Sequence, residues 1–166
     1  MMTTVADSGP MQSPGSDREV VATRVFQAPR ELVWEACTRP EHVRRWYGPA
    51  SMPMTSCEID ARVGGRFRYV FPAPQGEIAF SGEYLELQRP SRIVNTWLFE
   101  PMPGTDTVET ATLEEEDGTT ILTIRAAFQR PEHLRGWAGS GGYPGMAEAH
   151  ERLRTLVHEL AAARPG

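Results

Sequence analysis

Residues 146–163 read MAEAHERLRTLVHELAAA, and this stretch decides the fold. Met146, Ala149, Leu153, Leu156, Val157 and Leu160 recur at one-face helical spacing, while Glu148, Glu151, Arg152, Thr155 and Glu159 fall opposite. A helix with so marked an apolar stripe has to bury it against another layer. Upstream, between residues 55 and 128, the period changes from helical to two. Gly64-Gly65 and Asp117-Gly118 are hairpin signals there, because both pairs tolerate the positive φ that tight turns demand. The pattern predicts six strands over 55–61, 66–71, 78–88, 92–100, 107–115 and 119–128. Alternation places Phe67, Tyr69 and Phe71 on one face and Arg66 and Arg68 on the other, wet one. One long amphipathic helix therefore covers one face of an antiparallel meander.

Further upstream, residues 20–27 form another strand, which stops at Ala28-Pro29 where the proline suits a first helical turn. Leu32, Val33, Ala36 and Cys37 share a helical face, and Pro40 restarts a second short helix carrying Val43, Trp46 and Tyr47. Gly48-Pro49 ends it. Residues 129–145 contain Gly136, Gly139, Gly141, Gly142 and Gly145, which predicts a long connection without regular structure. Trp137 and Tyr143 within it fit either a glycine-hinged lid or a surface loop. Residues 1–18 mix Ser, Gly, Pro and Asp with no basic start and no apolar run, so they read as a disordered tail ahead of a single domain over 19–163.

Composition narrows the function classes. With 166 residues, 40% apolar and 23% charged, the chain is long enough for one well-buried core. All seventeen basic residues are Arg, which excludes Schiff-base, pyridoxal-phosphate and lysine-dependent phosphate-loop chemistry. A net charge of −5 gives no overall attraction for phosphates, so no nucleic-acid partner is expected. Cys37 and Cys57 cannot make a disulfide framework, and no His, Cys or carboxylate set has metal-ligand spacing, so neither a metal nor any other cofactor is predicted. No run approaches the roughly 20 apolar residues that cross a bilayer; membrane insertion is not expected, and a cytoplasmic location is.

Phe26-Gln27-Ala28-Pro29-Arg30-Glu31-Leu32-Val33-Trp34-Glu35-Ala36, Arg45-Trp46-Tyr47-Gly48-Pro49, Asp60-Ala61-Arg62-Val63-Gly64-Gly65, Gly82-Glu83-Tyr84, Pro90-Ser91-Arg92-Ile93-Val94 and Gly145-Met146 follow one another in an order that resembles the START-like (SRPBCC) superfamily. The branch is similar to the bacterial proteins named after the activator of the heat-shock protein 90 ATPase. The resemblance covers residues 20–160 and implies the α+β helix-grip fold, a curved antiparallel sheet wrapped around a long C-terminal helix with a ligand cavity between them. Tyr47 stands where that branch often has a second Trp, and His150 where a small-to-aromatic residue is common. The eukaryotic co-chaperone's N-terminal domain has no counterpart here, so a chaperone partner is not implied.

The expected function is binding of a small hydrophobic or polycyclic molecule, with Trp46, Phe67, Tyr69, Tyr84, Trp97, Phe99, Met146, Ala149, His150 and Leu153 walling the cavity. No catalytic residue is assigned. Two alternatives use the same fold: a cyclase, aromatase or hydrolase with His150 or Tyr84 as acid/base, and a chaperone-interacting module working through an exposed face. A homodimer stays open. Each aromatic taken singly also suits ordinary core packing, Trp46 suits anchoring of the short helices, and His150 suits a hydrogen-bonded wall position. Asp60 reads as a turn-capping carboxylate, and Glu114, Glu115, Glu116 and Asp117 as an acidic hairpin tip that discourages edge pairing.

Overall fold

The computed structural model describes residues 11–164. In chain order the elements are β1 (Met11–Pro14), β2 (Glu19–Phe26), α1 (Arg30–Thr38), α2 (Pro40–Trp46), β3 (Ser56–Ile59), β4 (Arg66–Ala73), β5 (Gly76–Gln88), β6 (Arg92–Phe99), β7 (Thr107–Glu116), β8 (Thr119–Ala127), α3 (Pro131–Gly139) and α4 (Gly142–Ala163). All strands pair antiparallel in one curved sheet of order β1-β2-β8-β7-β6-β5-β4-β3. β3 to β8 are a meander, and β2 closes against the last strand in the register Glu19↔Ala127 to Phe26↔Thr120. With α4 against the inner face, this is the helix-grip architecture.

Local chemistry sets the boundaries. Pro29 and Arg39 are both extended, and Arg39 must be, because the ring of Pro40 disfavours helical backbone before it. The chain therefore breaks between α1 and α2. Asp117 and Gly118, at φ 52° and 77°, make the two-residue turn joining β7 to β8. A register shift between Tyr84 and Glu86 bends β5, the longest strand, across the sheet. At Gly82 a Cβ would lie 1.9 Å from the Thr96 carbonyl oxygen and 2.5 Å from the Phe67 ring, so only glycine lets β5 pass there. α4 seats Leu153, Leu156 and Val157 in the core, each burial contributing about 1.5–3 kcal/mol.

Two expectations need correction. Within the tail expected to be disordered, Met11–Pro14 pair with β2 from Met11↔Thr23 to Pro14↔Val20; residues 1–10 lie outside the described residues. Composition does not register this pairing, which needs only the free N–H and C=O groups along the β2 edge. Residues 129–145 are not a structureless connection either. Pro131 opens α3, and α4 begins at Gly142 rather than at Met146. Helical glycines cost about 1 kcal/mol each, but Leu134 is buried and Trp137 packs on Phe128 and Tyr143, at 5.8 and 4.9 Å between ring centroids. Tertiary contact wins over propensity, and the segment is a packed corner.

Candidate functional site

Cross-strand partners point to the same face, so the register reads out the inner surface row by row. One row runs Val20, Ala126, Glu109, Asn95, Tyr84 across five strands. A second runs Phe99, Phe80, Tyr69, Cys57, and a third, towards the other end of the sheet, Arg24, Leu122, Leu113. Between the first and third lies a row that includes Ala22, Ile124, Ala111 and Ile93.

The aromatic residues expected to wall a cavity do come together. Phe67 stacks on Tyr69 at 4.9 Å and meets Tyr84 at 5.6 Å, while Phe80 stacks on Trp97 at 5.2 Å and touches Phe99 at 5.1 Å. Tyr47 bridges the two groups, 4.7 Å from Tyr69 and 6.4 Å from Phe80, and its hydroxyl accepts a 2.6 Å hydrogen bond from Trp97 Nε1. At this end the rings pack directly on one another. A surface depression walled by Arg68, Val70, Glu77 and Glu100 lies on the opposite, outer face of β4 and β5.

Ala149, His150 and Leu153 are buried, Ala149 and Leu153 in the main core, whereas Met146, one turn earlier in α4, packs elsewhere. It packs with Val20, Ala126, Phe128 and Leu134 in a second cluster, where the first turns of α4 meet β2 and β8. Trp46 anchors the short helices: its Nε1 donates to the Ala36 carbonyl at 2.8 Å, tying α2 to α1. Arg152 then holds the following loop to α4 by donating to the carbonyls of Gly48 and Arg45 at 2.5 and 2.7 Å. Asp60 does not cap backbone amides; it accepts from Arg62 Nε at 2.8 Å on the exposed side. Arg62, Arg66 and Arg68 are exposed, as the alternation predicts.

Two charged residues of the inner face escaped the sequence reading. Arg24 stands in the inward phase of β2 with Val20, Ala22 and Phe26, is 5% exposed, and donates from Nη2 to the Ala147 carbonyl at 3.1 Å. Its Nε has no partner, nor has Nδ1 of His150, which is equally buried. Glu109 stands in the inward phase of β7 and accepts a 3.2 Å hydrogen bond from Asn95 Nδ2. The signal was present in both cases, a charged residue interrupting an apolar phase.

Burial decides the protonation states. It pushes the His150 imidazole down to about 3, with the Arg24 charge acting in the same direction, so the ring is neutral at physiological pH. It lifts the Glu109 carboxyl to about 7, against the opposing hydrogen bond from Asn95. Tyr84 is displaced far upward by desolvation, despite its hydrogen bond with Tyr69. Neither His150 nor Tyr84 therefore exchanges a proton near neutrality, whereas Glu109 does. Burial also raises the Cys37 and Cys57 thiols to about 12 and about 11, which keeps both protonated and unreactive. Among the described residues no cluster of three or more His, Cys, Asp or Glu could hold a metal ion, and no helix is long and apolar enough to cross a membrane.

Sheet, bend and gripped helix define a START-like α+β domain. A family model described as "Activator of Hsp90 ATPase homolog 1-like protein" matches residues 27–158, and the chain belongs to that family. No curated protein matches the sequence. Among solved structures, a Rhodobacter sphaeroides protein is 27% identical with a TM-score of 0.82, covering 90% of this chain and 99% of its own. A Chromobacterium violaceum protein is 29% identical with a TM-score of 0.71, covering 86% and 98%. A Plasmodium falciparum protein described as an HSP90 activator is 21% identical over 66% of this chain and 72% of its own, at a TM-score of 0.54, a likeness of fold alone.

Proposed function

We propose that the protein binds a small, mostly apolar organic molecule between the inner face of the sheet and α4. The observation that carries this reading is the composition of that face, an aromatic and aliphatic wall interrupted by a few polar groups, with Glu109 and Asn95 at the middle of one row. Small-molecule sites have this make-up, apolar area for affinity and sparse polar groups for orientation. A guest gains room by parting the Tyr47, Phe80 and Trp97 rings. The test is native mass spectrometry of the purified protein, together with thermal denaturation against lipophilic and polycyclic compounds. A ligand at a hundred times its Kd adds about 2.7 kcal/mol of stability, on the order of 5–10 °C for a domain of this size. A broad panel without any shift, and no co-purifying mass, overturns the proposal.

Acid/base catalysis in the same interior is a second reading, favoured by the place of Glu109 in the inward phase of β7, hydrogen-bonded to Asn95, where burial pushes its carboxyl up to about 7, near the pH at which a group both takes and returns a proton efficiently. Hydrolysis of p-nitrophenyl butyrate that disappears in a folded Glu109→Gln variant supports it, and turnover unchanged by that substitution removes it.

A further inference from the structure

The residues that the aromatic wall leaves unexplained are Arg24 and His150. A guanidinium buried on the inner face of β2, with Leu122 as its cross-strand neighbour, is costly to desolvate unless its donors are satisfied. One carbonyl, that of Ala147, and the field of Glu151 are what the protein supplies. Nε of Arg24 keeps an unused donor, and Nδ1 of His150, on the helix facing it, is equally without a partner. These are two orphaned polar atoms on two different elements, each in a side chain 5% exposed. A buried polar group left without a partner costs about 1–3 kcal/mol, and an oxyanion between the two would recover both penalties. A neutral imidazole tautomer with hydrogen on Nδ1 donates to the same oxygen that Arg24 Nε–H meets.

Geometry continues the argument. From Arg24 the inner face proceeds through Ala22, Ile124 and Ala111 to Ala126 and then to Glu109, with Ala149 on the helix side. Four residue steps along a strand, from position 24 to position 20, span about 13 Å. Alanines flanking Ile124 thus line the floor between a cationic end and a protonatable end.

We propose that Arg24 and His150 receive the carboxylate of a lipophilic organic acid whose apolar body lies along this floor of alanine and isoleucine. The proposal rests on the ligand-binding reading above and assigns the ligand its chemical class. It also orients the guest, with the acid group under the middle of α4 and the hydrocarbon towards Glu109.

The experiment compares two isosteric pairs, decanoate with decanamide and 2-naphthoate with 2-naphthamide, by titration calorimetry on the full chain at pH 6.0, where Glu109 holds its proton. In at least one pair the carboxylate binds ten-fold or more tightly than its amide. In Arg24→Met that preference falls below three-fold while the amide's affinity stays within three-fold of wild type; Arg24→Lys, which keeps charge but loses the fork, is intermediate. A second measurement needs no substitution in the receptor: in protein labelled with 15N-histidine, the His150 Nδ1 resonance moves on adding the carboxylate and not on adding the amide. Equal affinity within both pairs, or a preference that survives Arg24→Met, overturns this inference and leaves the ligand-binding reading intact. Failure of all four probes to bind, with no shift across the wider panel, removes both.

Discussion

Glu109→Gln should stabilise the protein at alkaline pH and leave it unchanged in acid. In the folded chain the Glu109 carboxyl holds its proton up to about 7, against an ordinary value of 4.5. Between those two pH values folding takes up a proton that the unfolded chain has already lost, so stability falls as pH rises through the window. The stabilising contribution is fully present below the unfolded value and exhausted above the folded one. A gap of 2.5 units at about 1.36 kcal/mol per unit gives about 3 kcal/mol. Glutamine has nearly the same shape, keeps an oxygen for the Asn95 amide, and has no proton to lose. The difference between variant and wild type should therefore grow from near zero at pH 4 to about 3 kcal/mol at pH 8.5, roughly 6–12 °C in Tm. Urea titrations followed by tryptophan fluorescence at pH 4, 5.5, 7 and 8.5 read it directly. Parallel stability curves for the two proteins would mean that the carboxyl is solvated, and the description of the inner face would be wrong at its centre.

The other predictions probe separate parts of the structure. His150→Gln should flatten the acid side of the stability curve: the wild-type ring stays neutral to about 3 when folded, against 6.5 ordinarily, so its contribution is complete above 6.5 and lost as pH falls, which acid urea titrations of the two proteins compare. Gly82→Ala should cost more than 3 kcal/mol by roughly the scale of a severe steric clash, because the new methyl meets the Thr96 carbonyl. Gly118→Ala, open to solvent but at φ 77°, should cost only about 1 kcal/mol, and equal effects in denaturant titration would refute the distinction. Tyr47→Phe removes the acceptor of Trp97 Nε1 and should cost about 1–2 kcal/mol, with a change in tryptophan emission that Tyr143→Phe does not produce.

What could be read from the sequence was what each segment decides alone. The strand alternation at Phe67, Tyr69 and Phe71, the Asp117-Gly118 turn and the proline break between α1 and α2 depend on a few neighbouring residues, and all stand where the pattern puts them. β1 and α3 depend instead on what they meet. Met11–Pro14 have only a strand edge to recommend them, and α3 exists because Leu134 and Trp137 find Val20 and Phe128 across the corner. The displacement of Met146 has the same origin: a stripe drawn on a helical wheel has no length, so it cannot reveal that the first turns of α4 pass beyond the main core into a second one. Arg24 and Glu109 differ from these. Their positions in the β2 and β7 alternation were legible, and a charge in the buried phase is the kind of local inconsistency that a stable fold tolerates chiefly where function requires it. Reading the apolar residues of each phase and passing over the charged exceptions recovers the wall of the interior and misses the groups able to orient a guest within it.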